Sequence, residues 1–159
     1  MCGFAANSRI DSVKENVFQV SSRINSTWGG NLADMVRATR VLEIVEAEAL
    51  TENARQIGAL LQAGLAELAR ELPDLVLQVR GRGLMIAFDL PDQDTRARAV
   101  AAARAQGLLL LPCGASAIRF RPFLDIARDD ATKGLDLLAR ALRTLARPGR
   151  IRAEDRPTE

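Results

Sequence analysis

The feature that most restricts the fold of this chain is a change of hydrophobic period near residue 75. Before it, apolar residues recur at three- and four-residue spacing, which predicts two amphipathic helices over 31–48 and 52–71. Thr51 is the expected cap of the second helix. We interpret both apolar stripes as ordinary core, and their residues are Leu32, Met35, Val36, Thr39, Leu42 and Val45, then Ile57, Leu60, Leu61, Leu65 and Leu68.

After residue 75 the apolar runs become short and are bounded by glycine or proline, which predicts strands. The strands predicted there are 75–80, 84–90, 108–111 and 117–120. A further short strand is predicted near the start of the chain, at 16–20, because its polar and apolar residues alternate. The run at 84–90 is apolar on both faces, so it should be central in its sheet. A helix is expected at 95–106, closed by Gly107, and a last helix begins near Asp129. This order predicts an α+β fold, with helices on one face of a mostly antiparallel sheet.

Two short segments are expected to join these strands. The Arg-Gly-Arg-Gly sequence at 80–83 is a tight connection rather than a dinucleotide fingerprint, because the third glycine and the following helix are absent. A second turn is expected over Pro-Cys-Gly-Ala at 112–115. Pro122 marks the end or the edge position of the last strand.

Composition excludes several classes of site. The chain has 159 residues with no histidine and no tyrosine, which removes His-based catalysis, histidine metal sites and tyrosine bases. Its net charge is +2 without a basic stripe, so nucleic acid is not an expected partner. Cys2 and Cys113 lack metal-ligand spacing, and neither a signal peptide nor an apolar run of membrane length is visible. We therefore expect a cytoplasmic protein with no metal and no membrane partner.

The sequence Ser-Thr-Trp-Gly-Gly-Asn at 26–31 comes directly before the first predicted helix. Its hydroxyl groups can donate hydrogen bonds, and its glycines let the backbone approach a ligand closely. Asn31 can cap the helix, with Asp34 three residues later. Glycines that lead into a helix N-terminus suit an anion such as phosphate. On chemistry alone, a tight turn followed by a cap is the simpler interpretation of the same residues.

This loop, together with Leu32, resembles the phosphate-binding loop of the class III pyridoxal-phosphate aminotransferases. The preceding Val-Ser-Ser-Arg-Ile-Asn at 20–25 is similar to the L-lysine 6-aminotransferase branch of that family. The resemblance covers nearly the whole chain in order, with further matching blocks at Cys2-Gly3, at Arg-Gly-Arg-Gly-Leu-Met over 80–85, at Leu-Pro-Cys-Gly over 111–114 and at Ile-Arg-Phe-Arg-Pro over 118–122.

The resemblance implies a division of the chain into four parts. Residues 1–30 would be a remnant of the large cofactor-binding domain with its phosphate loop, and 31–48 the helix that bridges the two domains. Residues 49–147 would be the C-terminal small domain of a fold-type I enzyme. We expect 148–159 to be a disordered tail, because no apolar pattern remains there.

The resemblance also implies roles for individual residues. The second hydroxyl residue of the loop binds the cofactor phosphate of the neighbouring subunit in a homodimer, and that position is Thr27, with Asn25 and Ser26 as adjacent candidates. Arg119 matches the arginine that binds the substrate carboxylate, for which a guanidinium offers two parallel donors. Arg121 is the alternative, because a residue two positions later lies on the same side of a strand.

The implied reaction moves the terminal amino group of L-lysine to pyridoxal 5'-phosphate and then to 2-oxoglutarate. Such an enzyme needs a lysine for the Schiff base with its cofactor, and Lys14 and Lys133 are the only lysines here. In the family that lysine falls shortly before the Cys-Gly found here at 2–3, so the chain is expected to begin after it. Two hypotheses stay open: the C-terminal part of an active aminotransferase, or an inactive remnant that serves as a binding or dimerisation module.

Overall fold

A computed structural model of the chain describes residues 7–20, 23 and 27–146. The chain divides into two compact units, Met1–Glu48 and Ala49–Glu159. The expected tail at 148–159 lies outside the described residues, as does the Cys-Gly pair at 2–3. Mixed helices and antiparallel strands confirm the predicted α+β class.

The first unit contains a short 3-10 helix, Ser8–Ser12, and a turn where the sequence predicted a strand at 16–20. The strand prediction is wrong because a buried asparagine side chain, Asn16, bonds the backbone on both sides of itself. Its carbonyl oxygen accepts two backbone N–H bonds and its amide donates to two backbone carbonyls, the partners being Phe18, Gln19, Ile10 and Val13.

Helix α1, Leu32–Ala47, begins where the sequence predicted, after the cap residue Asn31. The Asn31 side chain accepts from the N–H groups of Ala33 and Asp34 at 2.9 and 3.3 Å. The interpretation of its apolar stripe as core is wrong, because α1 has no buried residue. Large apolar side chains on it are exposed, among them Leu32, Met35, Val36, Val41 and Leu42.

The second unit is built on a four-stranded antiparallel sheet in the order β1-β2-β4-β3. Its strands are β1 (Leu77–Arg82), β2 (Met85–Asp89), β3 (Leu111–Cys113) and β4 (Ala117–Phe120). The central position expected for β2 is confirmed, but only one of its faces is buried, through Ile86 and Phe88. One face of the sheet thus belongs to the core. We call the other the open face, because the β2 side chains on it are only partly buried or exposed.

Two strands, β1 and β3, are shifted by two or more residues from the sequence prediction. β1 continues through Gly81 and Arg82, so the connection to β2 shortens to Gly83 and Leu84. β3 begins only at Leu111 and includes Pro112, which the sequence placed in a turn. An edge strand tolerates proline because its outer side forms no ladder, and β3 is an edge of this sheet.

Three helices complete the second unit: α2 (Leu50–Glu71), α3 (Gln93–Ala105) and α4 (Arg128–Ala146). Thr51 is not the cap of α2, because the helix already begins at Leu50. The cap position is Ala49, whose backbone is in the left-handed conformation. Asp92 caps α3 by accepting from Thr95 N at 2.7 Å. Gly107, with φ +85°, ends it in a Schellman motif, as expected from the sequence.

The core of the second unit lies between the sheet and these helices. The stripe predicted for α2 is confirmed, because four of its five residues are buried and Leu60 packs against the core. The largest fully buried side chains are Leu65, Ile86, Phe88, Leu90, Ile118, Leu138 and Leu142. This packing leaves β4, which bears Arg119, fixed between two neighbouring strands.

Candidate functional site

Arg119 lies on the open face of the sheet. Its neighbours along β4, Ile118 and Phe120, belong to the core side, where the Phe88 and Phe120 rings lie 6.3 Å apart. Because side chains alternate along a strand, Arg119 emerges on the opposite face. β4 is a central strand, so the base of this side chain is held from both sides.

The Arg119 side chain is half-buried and lacks a polar partner. Its Nε atom is buried and makes no hydrogen bond, and the described part of the chain gives its guanidinium no ion pair. Asp89 shares the open face but is engaged by Arg80, at 2.9 Å. A buried guanidinium nitrogen without an acceptor is costly, which favours an anionic ligand at this position.

Arg121 has a different environment. β4 ends at Phe120, so the expectation that Arg121 shares a strand face with Arg119 is wrong. Arg121 is exposed, and Pro122 follows it. Both arginines line a cavity of about 180 Å³ whose other walls are mainly apolar, including residues 108–111 and Ile126, and one carboxylate, Asp130, also lines it. Of these two arginines, Arg119 has the buried Nε without a partner. Among the described residues Arg96 has a second such Nε, but its Nη1 donates to the Gly114 carbonyl.

The loop before α1 is exposed where the structure describes it. Thr27 and Trp28 lie in a turn, and the Trp28 side chain is 75% exposed. Gly30 has φ +75°, a conformation that favours glycine. The Asn31 cap already occupies two N–H groups of the helix N-terminus, and the exposed Thr27 offers a hydroxyl as a further donor for an anion. Asn25 and Ser26 lie outside the described residues.

Other groups that carry chemistry lie on the surface. Lys14 and Lys133 are both exposed. Within the described ranges no group of three or more Cys, Asp or Glu residues could hold a metal ion, and no helix there is long and apolar enough to cross a membrane.

The carboxyl groups with shifted pKa values lie on helices rather than at Arg119. Hydrogen bonds from Arg55 lower the pKa of Glu52 to about 2. Arg143 donates to Glu71 at 2.6 and 2.7 Å, which lowers the pKa of Glu71 below its ordinary value. The backbone N–H of Thr95 lowers the pKa of the cap residue Asp92. These shifts describe surface ion pairs and a cap, and none marks a catalytic acid or base.

Sequence reasoning missed the two residues that flank Arg119 across the sheet. Ala87 on β2 and Leu111 on β3 are its direct cross-strand partners. The apolar run at 84–90 placed Ala87 on a strand, but the pairing register cannot be read from one strand alone. Leu111 was expected to end a buried strand, whereas it begins β3 and is 44% exposed.

Comparison with known proteins assigns the chain to a family. The family model for aminotransferase class III matches residues 3–142. The chain is 48% identical over 142 residues to the L-lysine-epsilon aminotransferase of Mycobacterium tuberculosis, which covers 89% of this chain and 32% of that protein. The protein of the same name from Streptomyces clavuligerus is 47% identical over 147 residues, covering 92% and 32%. The chain thus spans about a third of the length of these relatives.

Solved structures similar to this chain are also aminotransferases. The lysine aminotransferase from M. tuberculosis is 47% identical and superposes with a TM-score of 0.76, covering 86% of this chain and 32% of that one. An acetylornithine aminotransferase from Elizabethkingia anophelis is 28% identical, with a TM-score of 0.72 over 87% of this chain and 34% of that one. Together with the family match, these similarities establish that the chain belongs to the class III aminotransferases.

Proposed function

We propose that this chain is the C-terminal part of a pyridoxal-phosphate-dependent aminotransferase that moves the terminal amino group of L-lysine to 2-oxoglutarate. The observation that carries the proposal is Arg119, a half-buried arginine on the open sheet face whose Nε has no acceptor. The similarity to L-lysine-epsilon aminotransferases supports the choice of substrate.

Arg119 suits a carboxylate for chemical reasons. A guanidinium presents two parallel N–H donors, so it fixes the orientation of a carboxylate as well as its charge. Both L-lysine and 2-oxoglutarate present a carboxylate, and one arginine therefore serves both halves of a transamination. Arg121 is exposed beyond the end of β4 and offers a less defined geometry.

The loop before α1, residues 25–30, offers at least one hydrogen-bond donor to a cofactor phosphate. We assign Thr27 to the cofactor phosphate of a neighbouring subunit in a homodimer, with Asn25 and Ser26 beside it. The support is that the Thr27 hydroxyl is exposed and has no hydrogen-bond partner among the described residues. When bound, pyridoxal phosphate supplies the electron sink that lets an amino group leave one carbon and join another.

The domain assignment forms part of the same proposal. Residues 1–30 belong to the large domain, 31–48 bridge the domains and 49–147 form the small domain. The exposed Lys14 and Lys133 lack the desolvated setting that activates a lysine amine, so we assign neither to the cofactor. The chain by itself is then inactive and relies on a lysine from the rest of an aminotransferase.

The role of Arg119 is tested in a full-length relative, at the positions that align with Arg119 and Arg121. Arg119→Ala should slow both half-reactions in single-turnover kinetics by about 100-fold, the loss of a charge-assisted pair of about 3 kcal/mol. Arg119→Lys should not restore them, because an ammonium lacks the two-pronged geometry. Arg121→Ala is the matched control and should retain most activity. The reverse pattern would assign the carboxylate to Arg121.

The inactive chain is tested directly. Mixing the purified 159-residue chain with pyridoxal phosphate and reducing with borohydride should give no stoichiometric adduct at one lysine. A single adduct at Lys14 or Lys133 would contradict the assignment. Stable self-association of the chain without cofactor binding would instead favour the hypothesis that the chain serves as a dimerisation module.

A further inference from the structure

Arg119 lies in a row of four side chains across the open sheet face, which runs from Arg80 on β1 to Leu111 on β3. Ala87 on β2, Arg119 on β4 and Leu111 on β3 are direct register partners. Directly opposed residues in an antiparallel pair have Cβ atoms about 4.5–5.5 Å apart, and they share a face. We propose that Ala87 and Leu111 determine which carboxylates Arg119 accepts, favouring those on unbranched aliphatic chains.

Leu111 provides the apolar side of this row. Its side chain is 44% exposed although it stands beside a charged group on the same face. A ligand whose carboxylate meets the guanidinium brings its first methylene groups within reach of this leucine. Contact between the two removes apolar surface from water, so longer unbranched chains gain affinity.

Ala87 provides the space on the other side. It occupies a row between two arginines, since Arg80 pairs with it from β1 and Arg119 from β4. Arg80 is committed, because it donates to Asp89 at 2.9 Å and to the Gln78 carbonyl at 2.8 Å. A methyl group between the strands leaves room above the sheet, which a larger side chain would fill.

This inference rests on the proposed role of Arg119, and one experiment separates the two. The ¹⁵N-labelled 159-residue chain is titrated with acetate, butyrate, hexanoate and 2-oxoglutarate, and the Nε–H resonance of Arg119 is followed by NMR. The resonance is assigned by its loss in Arg119→Lys. We expect all four ligands to shift it, with affinity rising from acetate to hexanoate.

Variants on the flanking strands then test selectivity. Leu111→Ala should lower the ratio of hexanoate to acetate affinity about 5-fold, the effect of losing partial contact with one leucine. Leu124→Ala is the matched control, because this leucine is 41% exposed but does not line the cavity that Arg119 lines, and it should leave the ratio unchanged. Ala87→Leu should weaken all carboxylates about 10-fold by occupying their space. The Ala87→Ser variant should bind carboxylates with the affinity of the wild-type chain, because serine is only slightly larger than alanine.

The outcomes distinguish the two claims. If no carboxylate moves the Arg119 resonance in the wild-type chain, the proposed function of Arg119 fails and this inference fails with it. If carboxylates bind but Leu111→Ala keeps the hexanoate preference, Arg119 retains its role and the inference is overturned. Should Ala87→Leu fail to fold, as judged from its amide spectrum, Leu111→Ala and its control decide the matter alone.

Discussion

The two units of this chain use apolar residues in opposite ways. In the second unit seven large side chains are almost fully buried, among them Phe88 and Leu65. In the first unit, helix α1 is about as rich in apolar residues as α2 of the second unit, yet none of its residues is buried. Its first residue, Leu32, is 78% exposed. One sequence thus contains a segment that builds its own core beside one that displays its apolar side chains.

This difference shows that hydrophobic spacing predicts a helix but not what covers it. The stripes of α1 and α2 look alike in sequence, yet only α2 lies on a sheet of its own unit. Burial depends on a partner surface, and an isolated helix of 16 residues is marginal in water. We infer that the stability of the chain resides in the second unit.

The largest effect should come from the core of the second unit. Phe88→Ala removes a ring that is 0% exposed and pairs with Phe120. We expect a loss of about 3–5 kcal/mol in the free energy of unfolding, measured by urea denaturation. Leu42→Ala, on the exposed face of α1, is the control and should change it by less than about 0.5 kcal/mol. An equal loss of unfolding free energy in the two variants would contradict the proposal that the second unit holds the stability of the chain.

A smaller effect is expected at a close approach between α2 and the β1–β2 connection. A methyl group added at Gly58 would overlap the carbonyl group of Gly83, so Gly58→Ala should cost about 1–3 kcal/mol despite alanine's better helix propensity. At Gly134 in α4 the added methyl meets only Leu108, at an ordinary 3.9 Å. Gly134→Ala should therefore stabilise by about 0.5–1 kcal/mol in the same urea assay. A neutral Gly58→Ala would show that the approach relaxes freely.

Helix caps offer a matched test across the two units. Asn31→Ala removes the cap of α1 and should cost that helix about 1 kcal/mol, seen as reduced helical circular dichroism, without moving the urea midpoint of the second unit. Asp92→Ala removes the corresponding cap of α3 and should lower that midpoint. If Asn31→Ala lowers it as well, α1 folds together with the second unit.

The smallest effect concerns pH. The hydrogen bonds from Arg143 lower the pKa of Glu71, so the folded state holds its proton less tightly than the unfolded chain. This stabilisation is complete above the ordinary glutamate pKa of 4.5 and is lost as the pH falls through the lowered value. Glu71→Gln should lower the melting temperature at neutral pH and narrow its gap to wild type in acid. A gap that stays constant with pH would show that the ion pair contributes nothing.

Much of the second unit was predictable because its local signals agree with its packing. Gly107 ended α3 as expected, and β4 occupies 117–120 as predicted. The errors arose where a side chain or a partner strand overrides the local pattern. Asn16 turns an alternating segment into a turn, and Pro112 is accommodated because β3 is an edge.

Of the residues at the candidate site, only Arg119 could be predicted from the sequence. Arg119 came from resemblance to a family motif, and the strand that bears it was visible in the sequence. Ala87 and Leu111 became its neighbours only through pairing between distant strands, which no local pattern specifies. β4 ends at Phe120, the boundary that the sequence predicted, so the separation of Arg121 from the strand could have been read from the sequence.

Hydrogen exchange tests the central claim most directly, namely that the second unit supports its own fold and α1 does not. Amides of α2 and β4 should exchange only through global unfolding, because they belong to a buried core. Amides of α1 should exchange by local fraying, at rates that do not change when Phe88→Ala destabilises the second unit. The contradictory result would be protection in α1 equal to that in α2 and lost together with it in Phe88→Ala.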